Sequence, residues 1–341
     1  MLEQAYTVRD SPEAVRRIEH DLQIVRDELQ EADPALRSLI LTGGFARGEG
    51  GVLDGIPQND YDFVAVRGWG RPRTSYQELG RRLTTKLGLH IDLSTIASWR
   101  VPWVARSIFW YETATAGRTI WGENVLPRIP IRDARNIDAK EGLRLLTNRA
   151  AGLLLVTEKP PGRDHLIQAS KALLAVADVH LLARGEFPPR QRERSALLET
   201  LRRGPGLPPD LESLWPSLDW AYRFKVEPGA AAPRDPDGAW RVAANALLDA
   251  IPHALAHAHF PSLERYARSD GLVDHWFFWR RTGSLIRNPT GRVRVATLRL
   301  LEAAQDGRVR PEVAREHFAA FGAADGSPLA RLRQLRASTL Q

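Results

Sequence analysis

Two acids, Asp60 and Asp62, stand one residue apart where a polar stretch, Asn59-Asp60-Tyr61-Asp62, meets an apolar run, Phe63-Val64-Ala65-Val66. In a strand, residues i and i+2 share a face, so the two carboxylates project together, about 7 Å apart along the backbone. Tyr61 and Phe63 then face the other way. Like charges held side by side repel, a cost that a cation between them removes. The pattern therefore points to a metal site. A third acid, Asp92, lies inside the run Leu89-His90-Ile91-Asp92-Leu93-Ser94-Thr95-Ile96, where a carboxylate between apolar neighbours is costly without a partner. It joins the first two if their strands are neighbours. Carboxylates suit hard ions, Mg2+ first and Mn2+ as an alternative. Two such ions about 3.5–4 Å apart would clamp the attacking and leaving oxygens of a phosphoryl transfer.

Upstream, the apolar run Leu39-Ile40-Leu41 feeds Thr42-Gly43-Gly44-Phe45-Ala46-Arg47-Gly48. A glycine pair between a strand and a short helix leaves bare backbone N–H groups that could hold a triphosphate. Arg47, a turn further on, could reach the same phosphates bidentately. No Gly-Lys-Ser/Thr follows, and Gly48-x-Gly50 lacks a third glycine at the right offset, which sets aside Walker and dinucleotide readings. Far downstream, Ile167, Lys171, Leu174 and Asp178 share one helical face. Lys171 on the nucleotide phosphates and Asp178 on a substrate group is one reading; a snorkelling lysine and a solvent-edge acid is the other.

The elements that must position these groups follow from periodicity. Residues 11–32 carry Val15, Ile18, Leu22, Val25 and Leu29 at helical spacing, with Ser11 as a cap and Pro12 at the first position. Strands are expected at 37–42, 63–66 and 89–96, with a fourth around Thr119-Ile120-Trp121. A helix from Ser75 to Leu87 ends at Gly88. From about Ile137 the periodicity is helical: Lys140–Thr157, His165–Ala183, Arg190–Arg203, Leu211–Tyr222, Ala239–Ala258 and Pro311–Phe321. The fold class expected is α+β: a small mixed-sheet domain over 1–135, then an all-helical substrate-binding domain over 136–341. The catalytic cleft is expected between them.

At 341 residues the chain exceeds the length at which one core usually stops growing. It has no cysteine, so thiolate sites and disulfides are excluded. No run of about 18 apolar residues marks a membrane span, and Met1–Tyr6 lacks the layout of a signal peptide. A cytoplasmic location with no membrane partner is expected. The net charge of +7, nearly all arginine, suits anionic partners but is also what a GC-rich genome gives. Residues 275–301 hold Arg280, Arg281, Arg287, Arg292, Arg294 and Arg299 and no acid, beginning beside Trp276-Phe277-Phe278-Trp279. Such a stretch could stack and neutralise single-stranded nucleic acid, or form a helix with an aromatic core face and a basic outer one. His253 and His257 are four apart, without the His-Glu-x-x-His pattern of a zinc enzyme.

Gly43-Gly44, a loop, Asp60-x-Asp62 and the strand-borne Asp92 together resemble the signature of the DNA polymerase β superfamily of nucleotidyltransferases. Phe45-Ala46-Arg47-Gly48 resembles its usual continuation. The resemblance covers residues 37–96. It implies that Asp60 and Asp62 bind both metal ions and that Asp92 helps hold the catalytic one and activates the attacking hydroxyl. Gly43 and Gly44 would cradle an NTP, ATP by preference. The loop to Asp60 is longer than usual, and Gly44 stands where serine is commoner. The expected activity is Mg2+-dependent transfer of a nucleoside monophosphate to a small-molecule hydroxyl, with an RNA end or a protein hydroxyl as alternative acceptors. An inactive nucleotide-binding or partner-binding relative would be expected to lack one of the acids, and all three are present.

Overall fold

The computed structural model describes residues 6–8, 12–53, 56–226, 233–269 and 289–304, with a few positions beyond. The chain is α+β and divides into two compact units. The first comprises residues 1–138 with 187–205 and 225–230; the second holds 139–186, 206–224 and 231–341.

The first unit is built on a four-stranded mixed sheet in the order β5-β4-β1-β6. Its strands are β1 (Leu36–Thr42), β4 (Tyr61–Arg67), β5 (Ile91–Ala97) and β6 (Arg118–Gly122), and β2 (Val52–Leu53) with β3 (Ile56–Pro57) forms a small separate hairpin. β1 runs antiparallel to both β4 and β6, while β4 and β5 are parallel. Of β1, only Arg37 is exposed, as its unbroken apolar run requires. Helix α1 (Pro12–Ala32) buries Ile18, Leu22, Val25 and Leu29 against Leu39, Leu41 and the ring of Phe63. Helix α3 (Tyr76–Leu87) adds Leu79, Leu83 and Leu87. Its ends are set by residue type: Ser75 Oγ accepts from Glu78 N, and Gly88 closes the helix in the left-handed region at φ 72°. The extra length between the glycine pair and Asp60 is taken up by one helical turn, α2 (Gly43–Ala46), and the β2–β3 hairpin. Helix α4 (Ile108–Ala116) crosses over to β6, and α7 (Gln191–Arg203) also belongs to this unit.

The second unit is helical. α5 (Glu141–Val156), α6 (Arg163–Ala183) and α9 (Pro236–Asp249) form its centre, with the indole of Trp240 donating to Leu153 O at 2.8 Å. Also in it are α8 (Pro209–Val226) as far as Phe224, α10 (Ile251–His257), α11 (Leu263–Ala267) and α12 (Pro289–Ala303). Among the described residues, α6 alone is long and apolar enough to cross a membrane; 78% of that window is buried inside the protein, as in a core helix. The single helix expected over Ala239–Ala258 is two helices. Pro252 has no N–H to donate and its ring crowds the carbonyl four residues back, so α9 stops and α10 starts afresh around Ala250. His180 of α6 stacks on His253 of α10 with ring centroids 4.2 Å apart, and its Nε2 lies 3.2 Å from the Asp210 carboxylate.

Candidate active site

The register of the sheet brings the expected acids to one end of it. Asp62, the second residue of β4, pairs directly with Asp92, the second residue of β5. Neighbouring strands lie about 4.8 Å apart, so these two carboxylates start side by side. Asp60 immediately precedes β4 and is exposed, while Asp62 is half-buried. Between them Tyr61 is fully buried, and Phe63 after Asp62 is too, which is the alternation that the spacing demands. The Tyr61 hydroxyl donates to buried Asp21 at 3.1 Å, and Arg17 donates to the same carboxylate from one turn earlier in α1. Burial and the adjoining Asp21 charge raise the Tyr61 phenol well above its ordinary value, so it stays a donor. The acid-bearing strand is thus tethered from its inner face.

The glycine turn closes on the same acid. Thr42 pairs with Asp62 across the β1–β4 ladder, and the Thr42 hydroxyl donates to the Asp62 carbonyl at 3.2 Å. Gly43 has φ +67°, and a Cβ there would fall 1.9 Å from Asp62 Oδ2. Only glycine fits, for both reasons. Gly44 is different: it has no positive φ, and a Cβ would meet nothing closer than Glu49 O at 3.7 Å.

Arg47 is occupied. Its Nε lies 3.2 Å from Glu49 and its Nη1 2.7 Å from Glu112, so the cation expected to reach phosphates is engaged by two carboxylates. Glu112 of α4 is bound on its other oxygen by Arg194 of α7, whose guanidinium lies 3.9 Å above the Phe187 ring. Burial pushes the Glu112 carboxyl up, but Arg47 and Arg194 outweigh it and hold the group below the ordinary carboxylate range. Glu49 accepts from Arg192 N at 2.8 Å, and Arg190 donates to Arg47 O at 3.3 Å. Residues 47–49, directly after the glycine turn, are therefore locked to the start of α7. Glu49, Glu112 and Arg194 were not singled out from sequence. Glu112 had a signal: it is the one acid in the apolar segment Ile108–Ala116.

Asp92 needs a correction. It is exposed, because β5 is an edge strand with a solvated face, so no burial penalty demands a partner for it. What links Asp92 to the site is its register with Asp62. Lys171 is exposed on α6 and Asp178 is buried there, both in the second unit. Of the basic 275–301 stretch, Trp276–Trp279, Arg280, Arg281 and Arg287 lie outside the described residues, as does most of Pro311–Phe321. Within α12, Arg294 is buried with Nη1 3.2 Å from the Tyr266 hydroxyl, and Arg299 pairs with Glu264 at 2.7 Å.

Among the described residues, no three acidic or imidazole side chains gather closely enough to ligate a metal by themselves. A pair of carboxylates open to solvent still fits Mg2+, which takes one or two carboxylates and completes its shell with water and substrate phosphates.

No family model and no curated protein matches the chain. Two solved structures share a likeness over 31% of it: a tri-AMPylated Shewanella oneidensis HEPN toxin in complex with MNT antitoxin, and a toxin–antitoxin with AMP-PNP. The first is 16% identical over 72% of that chain with a TM-score of 0.23, and the second 18% over 74% with a TM-score of 0.24.

Proposed function

We propose that this chain is a nucleotidyltransferase that moves a nucleoside monophosphate from an NTP, ATP by preference, to a hydroxyl of a small-molecule acceptor. The observation that carries this reading is the junction of Gly43 with Asp62, whose register partner is Asp92. A phosphate-holding turn and a pair of carboxylates in direct contact suit phosphoryl transfer, where catalysis is positioning plus charge neutralisation.

In this reading Asp62 and Asp92, with Asp60 beside them, hold Mg2+, which when bound supplies charge neutralisation at the phosphates. The first N–H groups of a helical turn have no intrahelical acceptor, so those at Gly43 and Gly44 are suited to donate to phosphate oxygens. Asp92 accepts the proton of the acceptor hydroxyl as its oxygen attacks the α-phosphorus. The bond from that phosphorus to the bridging oxygen breaks, and pyrophosphate leaves with the electron pair. Arg47 serves the loop: its carboxylate partners fix it, and it fixes the turn.

Asp62→Asn tests the reading. With each labelled NTP, Mg2+ and separate pools of metabolites, RNA and protein, the wild type should label one pool and release pyrophosphate. The Asn variant should lose about a hundred- to a thousandfold of that rate, the scale of removing one electrostatic element of a transition-state site, with its melting temperature retained. Undiminished labelling by the variant would sink the assignment, and the pool that takes the label names the acceptor class.

A further inference from the structure

The opposite end of the same sheet carries a different chemistry. β4 and β5 are parallel and in register to their last residues, Arg67 opposite Ala97. The segments that follow, Gly68–Gln77 and Ser98–Tyr111, therefore leave the sheet side by side. Together they hold Arg71, Arg73, Arg100 and Arg106 and no acid. They also hold the three most exposed large hydrophobic side chains among the described residues: Trp69 at 89%, Trp103 at 81% and Trp99 at 60%. Trp69 and Trp99 each stand two residues past the paired ends of their strands.

A single exposed indole is ordinary, but three on two segments that leave the sheet side by side mark an interaction surface. Their arrangement says what they suit. Among the described residues none of the three stacks on another ring, and each is flanked by arginine: Trp69-Gly70-Arg71, Trp99-Arg100, and Trp103 three residues before Arg106. The Arg100 guanidinium lies 6.0 Å over the Trp99 ring. A protein interface gathers its apolar groups into one desolvated centre with a polar rim. Separate π-faces alternating with cations instead match a single strand of nucleic acid, whose bases and phosphates alternate in the same way. Of the acids near this end, Asp33 is engaged by Arg67 and Glu123 by Arg128, and the two segments themselves carry no carboxylate.

We propose that the loops after β4 and β5 form a binding surface for single-stranded nucleic acid. Bases stack on Trp69, Trp99 and Trp103, and Arg71, Arg100 and Arg106 neutralise phosphates. The surface lies about 17 Å along β4 from Asp62, at a rise of about 3.3 Å per residue. It is separate from the acid cluster and independent of what that cluster does.

Anisotropy of a short labelled uridine-rich RNA, titrated with the full chain at low salt, tests this. Binding should weaken with salt at a log–log slope of roughly −2, as three single-strand phosphate contacts give. Trp99→Ala with Trp103→Ala should weaken it by at least about tenfold, and Arg100→Glu with Arg106→Glu should do so without touching any buried group. Asp62→Asn should bind as the wild type does. A duplex of the same sequence offers phosphates without free base faces, so equal competition by duplex would overturn the proposal. So would absence of binding at low salt, or unchanged binding by the correctly folded tryptophan and arginine variants. A wild-type dimer that Trp103→Ala dissolves would assign the rings to a copy-to-copy contact and overturn it as well.

Discussion

At the scale of single residues, the two adjacent glycines have different jobs. Gly43 sits at positive φ with the Asp62 carboxylate where a Cβ would go. Gly43→Ala must therefore move the acid or the turn, and the strain of a left-handed alanine adds about 1–2 kcal/mol. If the proposed function holds, it should lower nucleotide transfer by about a hundredfold, the scale of a displaced transition-state contact. Gly44→Ala meets only ordinary contacts in a helical turn, so its stability should stay within about 1 kcal/mol of wild type. Parallel urea titrations and rate measurements on the two variants check this, and equal effects at 43 and 44 would contradict the geometry. The placement of these acids and glycines on strand and turn was legible because it rests on local spacing: Asp60-x-Asp62 on the two-residue repeat of a strand, Gly43 on its place after an apolar run. The ion pairing of Arg47 was less legible. Glu49 is only two residues away, but Glu112 holds Arg47 through a contact that spans 65 positions, and no local pattern records that.

At the scale of elements, strand and helix positions follow the apolar periodicity closely, and the departures have physical causes. Pro252 divides a helix that hydrophobic spacing alone reads as continuous. Helix α4 is nearly uniform in polarity around its circumference, so it has no stripe to find. The return of residues 187–205 to the first unit cannot be read from periodicity, because it depends on charges meeting across the fold. Glu112 is the centre of that meeting. Glu112→Gln keeps the shape but leaves Arg47 and Arg194 without their shared anion. Breaking a buried ion pair from one side costs about 3–5 kcal/mol. The urea midpoint should fall accordingly. Because the group acts as a unit, Glu112→Leu combined with Arg194→Met should cost less than the sum of the single changes. Additive losses would show that the arginines do not share the carboxylate.

At the scale of the whole molecule, stability should depend on acid through the stacked imidazoles. Burial and the neighbouring His253 lower His180 to about 4, against the opposing pull of Asp210. The unfolded chain, with an ordinary histidine near 6.5, binds the proton first as pH falls. Between about 6.5 and 4 the unfolded state thus holds more protons, and folding stability drops with falling pH across that window. Asp33, held below its ordinary range by Arg67 and Tyr76 despite burial, adds a loss at lower pH still. Chemical denaturation at a series of pH values should show the slope, and His180→Gln should flatten it between 6.5 and 4. An unchanged slope in that variant would remove His180 as the cause. The molecule also divides its chemistry along one pair of strands, with carboxylates at the starts of β4 and β5 and indoles with arginines past their ends.

The position of β5 at the rim of the sheet has a consequence of its own. A rim strand offers an unmatched row of backbone donors and acceptors on which another chain can polymerise, and a charge on the strand is a common guard against it. From Leu89 to Ala97 the only carboxylate is Asp92. The residue in register with Asp62 thus also sets a charge on a β-prone edge. Asp92→Asn should therefore aggregate faster than the wild type on prolonged incubation, whatever the acid pair does in catalysis.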